Sequence, residues 1–123
     1  MQHWLLVRGR GARPLERLHG DVVRAHSSSK RPSVEPGDPA VLYAAVWQAV
    51  YGVAEVAGPP EHDAALRRWS WSFPLRPLAL IADLERAPAV EEAGVFPSSL
   101  WRHSHIRLSP EQFERARCLI VRI

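Results

Sequence analysis

One stretch, residues 36–56, constrains the fold of this chain more than any other. Pro36-Gly37-Asp38-Pro39 is a turn signal, and residues 41–46 are apolar without a break. A short connection through residues 44–48 carries Trp47, and a second strand follows to Val56. An unbroken apolar run suits a strand covered on both faces. In the second strand the period of two sets Val50, Gly52, Ala54 and Val56 on one face, with Tyr51, Val53 and Glu55 on the other. Gly52 marks a close backbone approach or a bend in a barrel. The rest of the chain is arranged to cover this hairpin.

Residues 3–8 read as a first strand, with Trp4 and Leu6 on one side and Leu5 and Val7 on the other; Gly9 and Gly11 end it. Pro14 opens a short helix that stops at Gly20, and residues 21–25 form a brief second strand. His26-Ser27-Ser28-Ser29-Lys30-Arg31 is the most polar stretch and reads as a loop. After Gly58-Pro59-Pro60, residues 61–68 read as a loop or single helical turn, and residues 69–81 as a strand. Pro74 and Pro77 donate no ladder hydrogen bond, which sets that strand at an edge or gives it a bulge. Short helical turns at 82–86 and 90–93 lead to a last strand within residues 100–108. The final helix is the clearest local signal. Ser109 is its cap, Pro110 its first residue and Gln112 completes a capping box. Phe113, Ala116, Leu119 and Ile120 form its apolar stripe, and Glu111 faces Arg115. Strands first and last with short helices between give an α+β class, drawn as a small, partly open barrel capped by helices.

At 123 residues the chain is expected to be one domain spanning 1–123. No apolar run approaches the roughly 20 residues that span a bilayer, and the apolar start is too short for a signal peptide. A cytoplasmic location is therefore expected, and the single cysteine, Cys118, agrees with it. The net charge is +3, but residues 1–31 hold seven cations against two anions, an excess of five. A basic first quarter suits an anionic partner such as nucleic acid, or it is an ordinary solvated surface.

Enzyme templates fail in turn: there is no P-loop, dinucleotide fingerprint or nucleophile elbow. Cys118 sits by an apolar stripe as a packed thiol. His103 and His105 would share one side of a strand but lack a third metal ligand nearby. His62-Asp63 has no nucleophile beside it. Neither catalysis nor a cofactor is expected. The five tryptophans say more. Trp4 reads as core and Trp101 as core or rim. Trp47 covers something in its connection, and Trp69 and Trp71 flank a strand start after a polar loop. Rings fixed on a sheet either seal a barrel end or make stacking platforms, where one stacked base is worth about 1–3 kcal/mol.

Four pieces in order now resemble a known family: Trp4-Leu5-Leu6-Val7, Pro36-Gly37-Asp38 leading to Val41-Leu42-Tyr43, residues 51–56, and His105-Ile106-Arg107-Leu108-Ser109-Pro110-Glu111. Together they resemble the EVE domain, a member of the PUA-like superfamily with the YTH and ASCH domains. The resemblance covers most of the chain. It implies a PUA-like small mixed β-barrel flanked by short helices, with a pocket that takes a modified base of DNA or RNA into a cage of aromatic rings. Carried onto this chain, Ser27, Ser28 and Ser29 match in kind the hydroxyl-bearing loop of YTH domains. Trp69 falls near a cage or rim tryptophan, Trp47 borders the pocket, and Arg102 and Ser104 resemble an Arg-x-Ser before the last strand. The chain departs from the family at Val23-Arg24-Ala25-His26, where EVE domains often have a tryptophan followed by Gly-Val-Arg. Either His26 supplies that wall by stacking, or the pocket takes something smaller than a base.

The leading expectation is a non-enzymatic module that flips a modified base into an aromatic-lined pocket. Trp47, Trp69, Trp71 and His26 would stack, Ser27, Ser28, Ser29 and Ser104 would read the base edge, and Lys30, Arg31 and Arg102 would hold phosphates. The alternatives are a nucleoside-like small-molecule sensor or an enzyme on the same scaffold, and an interaction domain whose exposed rings meet a partner chain.

Overall fold

The computed structural model describes residues 1–8, 24–100 and 103–121. The expected helix after Pro14, most of the expected strand at 21–25, Trp101 and Arg102 lie outside the described residues. Among the described residues the strands are β1 (His3–Arg8), β2 (Ala25–Ser28), β3 (Pro39–Ala44), β4 (Ala49–Val56), β5 (Glu61–His62), β6 (Trp71–Leu80) and β7 (His105–Leu108). The α-helix α1 covers Pro110–Val121, and 3-10 turns occupy Leu84–Arg86, Val90–Ala93 and Pro97–Leu100. The strands make one mixed sheet in the order β2-β6-β4-β3-β1-β7, with β5 alongside β6. β1 runs parallel to β3, and every other pair is antiparallel. The sheet curls into a half-barrel with one C-terminal helix, an α+β fold.

Alternation along β1 divides the core. Leu5 and Val7 face the outer side, packed with Val90, Phe113, Ala116 and Ile120 under α1. Trp4 and Leu6 face the concave side with Leu42, Tyr51, Phe73 and Leu75. β3 is apolar throughout because it is buried on both faces. The capping box at α1 forms in full: Gln112 N–H donates to Ser109 Oγ (3.1 Å), and Ser109 N–H donates to Gln112 Oε1 (3.0 Å). The ion pair on the helix is Arg117 with Glu114; among the described residues no Glu111–Arg115 pair forms. No helix among the described residues is long and apolar enough to cross a membrane.

Three expectations change. The polar run at 26–28 is strand β2, with His26 and Ser28 buried and Ser27 exposed. Residues 61–62 pair as β5. In β4 the simple alternation breaks, because the β3–β4 register shifts between Leu42 and Tyr43: Leu42 pairs Gly52 while Tyr43 pairs Val50. Tyr51 is the extra residue of that bulge. Val50 joins Val53 on the outer side, while Tyr51 packs with Ala54 and Val56 on the concave side. Both prolines of β6 find tolerant positions. Residues 71–74 pair β2, and residues 75–80 pair β4 through a bulge between Val53 and Ala54 that skips Leu78. Pro74 therefore stands where pairing changes hands, and Pro77 stands beside the bulge.

Candidate functional site

The two ends of the sheet, β2 and β7, meet across the mouth of the half-barrel. His26 projects from β2 and its Nε2 lies 2.8 Å from the carbonyl oxygen of Ser104, at the entry to β7. A carbonyl only accepts, so Nε2 carries the proton and donates. The same carbonyl accepts from Val7 N–H (2.9 Å), tying β1 into the junction.

Above this junction lies a cleft of about 480 Å³ lined by Ser29, Lys30, Arg31, Trp69, His103, Ser104 and His105. Its volume falls within the roughly 300–1,000 Å³ range of small-ligand sites. Three separate stretches build it: the exit of β2, the residues before β6 and the entry to β7. The exit of β2 is fixed by Ser28 Oγ, which donates to Lys30 O (2.7 Å). Trp69 is half-exposed and held at φ 54°, a left-handed backbone that a bulky residue adopts only under local constraint. At the β7 side Ser104 Oγ and His105 Nδ1 are hydrogen-bonded at 2.8 Å. The His105 ring meets Trp4 edge-on, with centroids 5.5 Å apart and planes at 65°. Burial, helped by the nearby His103, holds the His105 pKa below the usual 6.5, so the ring is neutral at neutral pH.

Beside the cleft a second layer of rings forms on β6. Arg31 Cζ stands 5.6 Å from the Trp71 ring centre, and His62 packs on that ring with centroids 4.8 Å apart. The guanidinium thus lies against an aromatic ring beside the cleft mouth. Lys30 and Arg31 bring two cations to the lining, and no carboxylate is among its described residues.

Of the sequence candidates, Ser29, Lys30, Arg31, Trp69 and Ser104 come together here. Trp71 lies in the adjacent ring stack. Ser27 pairs with Ser72 in the sheet, on the exposed side of β2. His26 and Ser28 point inward: His26 packs on Phe73 (5.6 Å between centroids) as a strap beneath the cleft, and Ser28 is buried and used to shape the loop. The stacking role expected for His26 and the edge-reading role expected for Ser28 are thus taken by structural work. Trp47 stands in the β3–β4 connection and is not among the described lining residues. Arg102 lies outside the described residues. His103 and His105, which the sequence presents only as an incomplete metal pair, form a wall of the cleft; their spacing of two is the available signal. Among the described residues no cluster of three or more histidine, cysteine or acidic side chains is poised for a metal.

No family profile and no curated protein matches the chain. Solved structures do. Protein Atu2648 from Agrobacterium tumefaciens is similar over 96% of this chain and 92% of its own, at 14% identity and a TM-score of 0.64. Rpa0253 from Rhodopseudomonas palustris is similar over 100% and 95%, at 11% identity and 0.64. A hypothetical protein from Leishmania major is similar over 99% and 96%, at 10% identity and 0.66. At these identities the likeness concerns the fold alone: this chain shares its half-barrel and C-terminal helix, end to end, with proteins from two bacteria and a protozoan.

Proposed function

We propose that the chain is an EVE-type, PUA-like module that binds nucleic acid without chemistry, taking a modified base into the cleft between β2 and β7. The observation that carries this reading is the convergence of Ser29, Lys30, Arg31, Trp69 and Ser104, from distant parts of the chain, on one cleft whose described lining holds two cations. Each supplies a different part of base recognition. Trp69 offers a half-exposed indole face for stacking. Ser29 and Ser104 offer hydroxyls that donate or accept at a base edge. Lys30 and Arg31 attract the flanking phosphates, and Trp71 holds Arg31 against its ring for that task. Trp4, buried on the concave face, backs His105 and keeps that wall rigid. The cleft's size also suits a free nucleoside, the second reading, which differs in needing no phosphate contact.

Titration of the protein with modified and plain oligonucleotides, followed by tryptophan emission at several salt concentrations, separates these readings. Binding with a salt slope of roughly 0.7–0.9 per phosphate contacted supports the nucleic-acid module. The Trp69→Ala variant is expected to weaken it about 5- to 150-fold, the equivalent of one stacked base. A Trp69→Ala variant that binds as tightly as the parent, or binding that ignores salt, removes the proposal.

A further inference from the structure

Two polar atoms on the concave face have no use in the fold. Arg8 Nη1 and the Tyr51 hydroxyl are both shielded from solvent, and neither has a hydrogen-bond partner among the described residues. Tyr51 is fully buried. A buried donor left without a partner costs about 1–3 kcal/mol. The fold nonetheless directs both inward. Alternation along β1 sets Arg8 on the side of Trp4 and Leu6, and the β-bulge turns Tyr51 to the same side. The two sense each other electrostatically, and burial keeps the Tyr51 hydroxyl protonated, its pKa pushed up to about 12. Burial likewise weighs against the Arg8 charge. Both groups therefore present hydrogens, since a guanidinium only donates and a protonated phenol can donate.

Among the described residues neither atom has an acceptor. Asp38 is the buried carboxylate among the described residues. It is already engaged by Trp4 Nε1, Glu35 N–H and Gln2 N–H at the other end of β1. Trp4 to Arg8 is four residues of strand, about 13 Å at ~3.3 Å per residue. Continuing the β1–β7 register past Leu6–His105, Val7 meets Ser104 and Arg8 comes level with His103, a wall of the cleft. Arg8 thus stands beside a wall of the cleft.

We infer that Arg8 and Tyr51 form an interior oxyanion site, which takes a carboxylate or phosphoryl oxygen into the half-barrel from the cleft side. It is distinct from the exposed Lys30 and Arg31 that serve phosphates in the nucleic-acid reading, and it stands whether or not the cleft binds a base.

The test is thermal unfolding of the full chain in sodium phosphate, sodium acetate and sodium chloride at matched ionic strength. Phosphate or acetate is expected to raise the melting temperature above that in chloride. A response to phosphate alone assigns a phosphoryl group, to acetate alone a carboxylate, and to both a general oxyanion site. Tyr51→Phe, which keeps the ring, is expected to raise the concentration needed about tenfold, and Arg8→Met to abolish the response. Should Arg8→Met fail to fold, Tyr51→Phe decides alone. No anion-specific shift in the parent, or a Tyr51→Phe variant that responds like the parent, overturns the inference. Loss of the anion response with oligonucleotide binding intact defeats this site and leaves the proposed function standing.

Discussion

Replacing Asp38 should be the most costly single polar change among the described residues. Its Oδ2 accepts from Trp4 Nε1 (2.9 Å) and Glu35 N–H (3.0 Å), and its Oδ1 from Gln2 N–H (3.3 Å). Its backbone also accepts from Val56 N–H at 2.9 Å, so one residue joins the start of β1, the turn before β3 and the end of β4. Hydrogen bonds to a charged group are worth about 1.5–3 kcal/mol each. Asp38→Ala orphans two well-formed donors and a weaker third, a loss of about 3–5 kcal/mol on that scale. For a domain of this size about 1 kcal/mol corresponds to roughly 4 °C, so the melting temperature should fall by about 10–20 °C. Asp38→Asn keeps one acceptor oxygen but turns an amide toward Gln2 N–H, and should cost about 1–2 kcal/mol. Urea unfolding followed by tryptophan emission measures both. Trp4→Phe combined with Asp38→Ala should cost less than the sum of the single changes, because they remove the same bond.

The pH dependence has a definite sign. Burial alone raises the Asp38 pKa. The hydrogen bonds from Trp4, Glu35 and Gln2 and the nearby amino terminus outweigh it and hold the group below the usual 3.8. A depressed acid stabilises the fold above its unfolded pKa, and that stabilisation disappears as pH falls through the folded value. The gap between parent and Asp38→Asn should thus be constant above about pH 5 and close below about pH 4. An Asp38→Ala variant within about 1 kcal/mol of the parent refutes the reasoning.

Two further outcomes follow from the same geometry. A Cβ at Gly52 would stand 2.8 Å from Leu80 Cδ2 and 3.0 Å from Leu42 Cδ1. Leu80 is partly exposed and can swing away, but Leu42 is fully enclosed, so Gly52→Ala should cost about 1–3 kcal/mol in chemical denaturation. His105, with its pKa depressed by burial and by His103, favours the neutral ring in the folded state. The parent should therefore lose stability as pH drops below about 6.5, and His105→Gln should flatten that slope in melting curves between pH 7.5 and 5.

How much of this was legible in the sequence depends on how local each signal is. β1 and its two faces follow from six residues of alternation, and the α1 cap follows from Ser109 and Gln112, whose partners lie three positions apart. β2 was illegible as a strand because its buried positions are His26 and Ser28. Period two is present in burial but invisible in hydrophobicity. Simple alternation gives Tyr51 the wrong companions because one bulge residue shifts the phase of β4, and that shift is set by pairing with β3. Gly52 was the only hint. At the site, Trp69, the Ser29–Arg31 stretch and Ser104 were recognisable as exposed chemistry waiting for a scaffold. Which of the three serines faces the cleft depends on where β2 ends, and so could not be read from their order. Arg8 looked like one cation among seven.

The pairing of β1 has a consequence for how the chain is made. One neighbour of β1, β3, follows within a few dozen positions, but the other, β7, begins at His105, with His3 opposite Leu108. A ribosome must therefore release everything through Leu108 before that border of β1 is sealed, and until then its amide and carbonyl groups are open to any passing strand. Shortening the chain before β7 leaves that border bare, and the expected product is an aggregate and not a smaller folded protein.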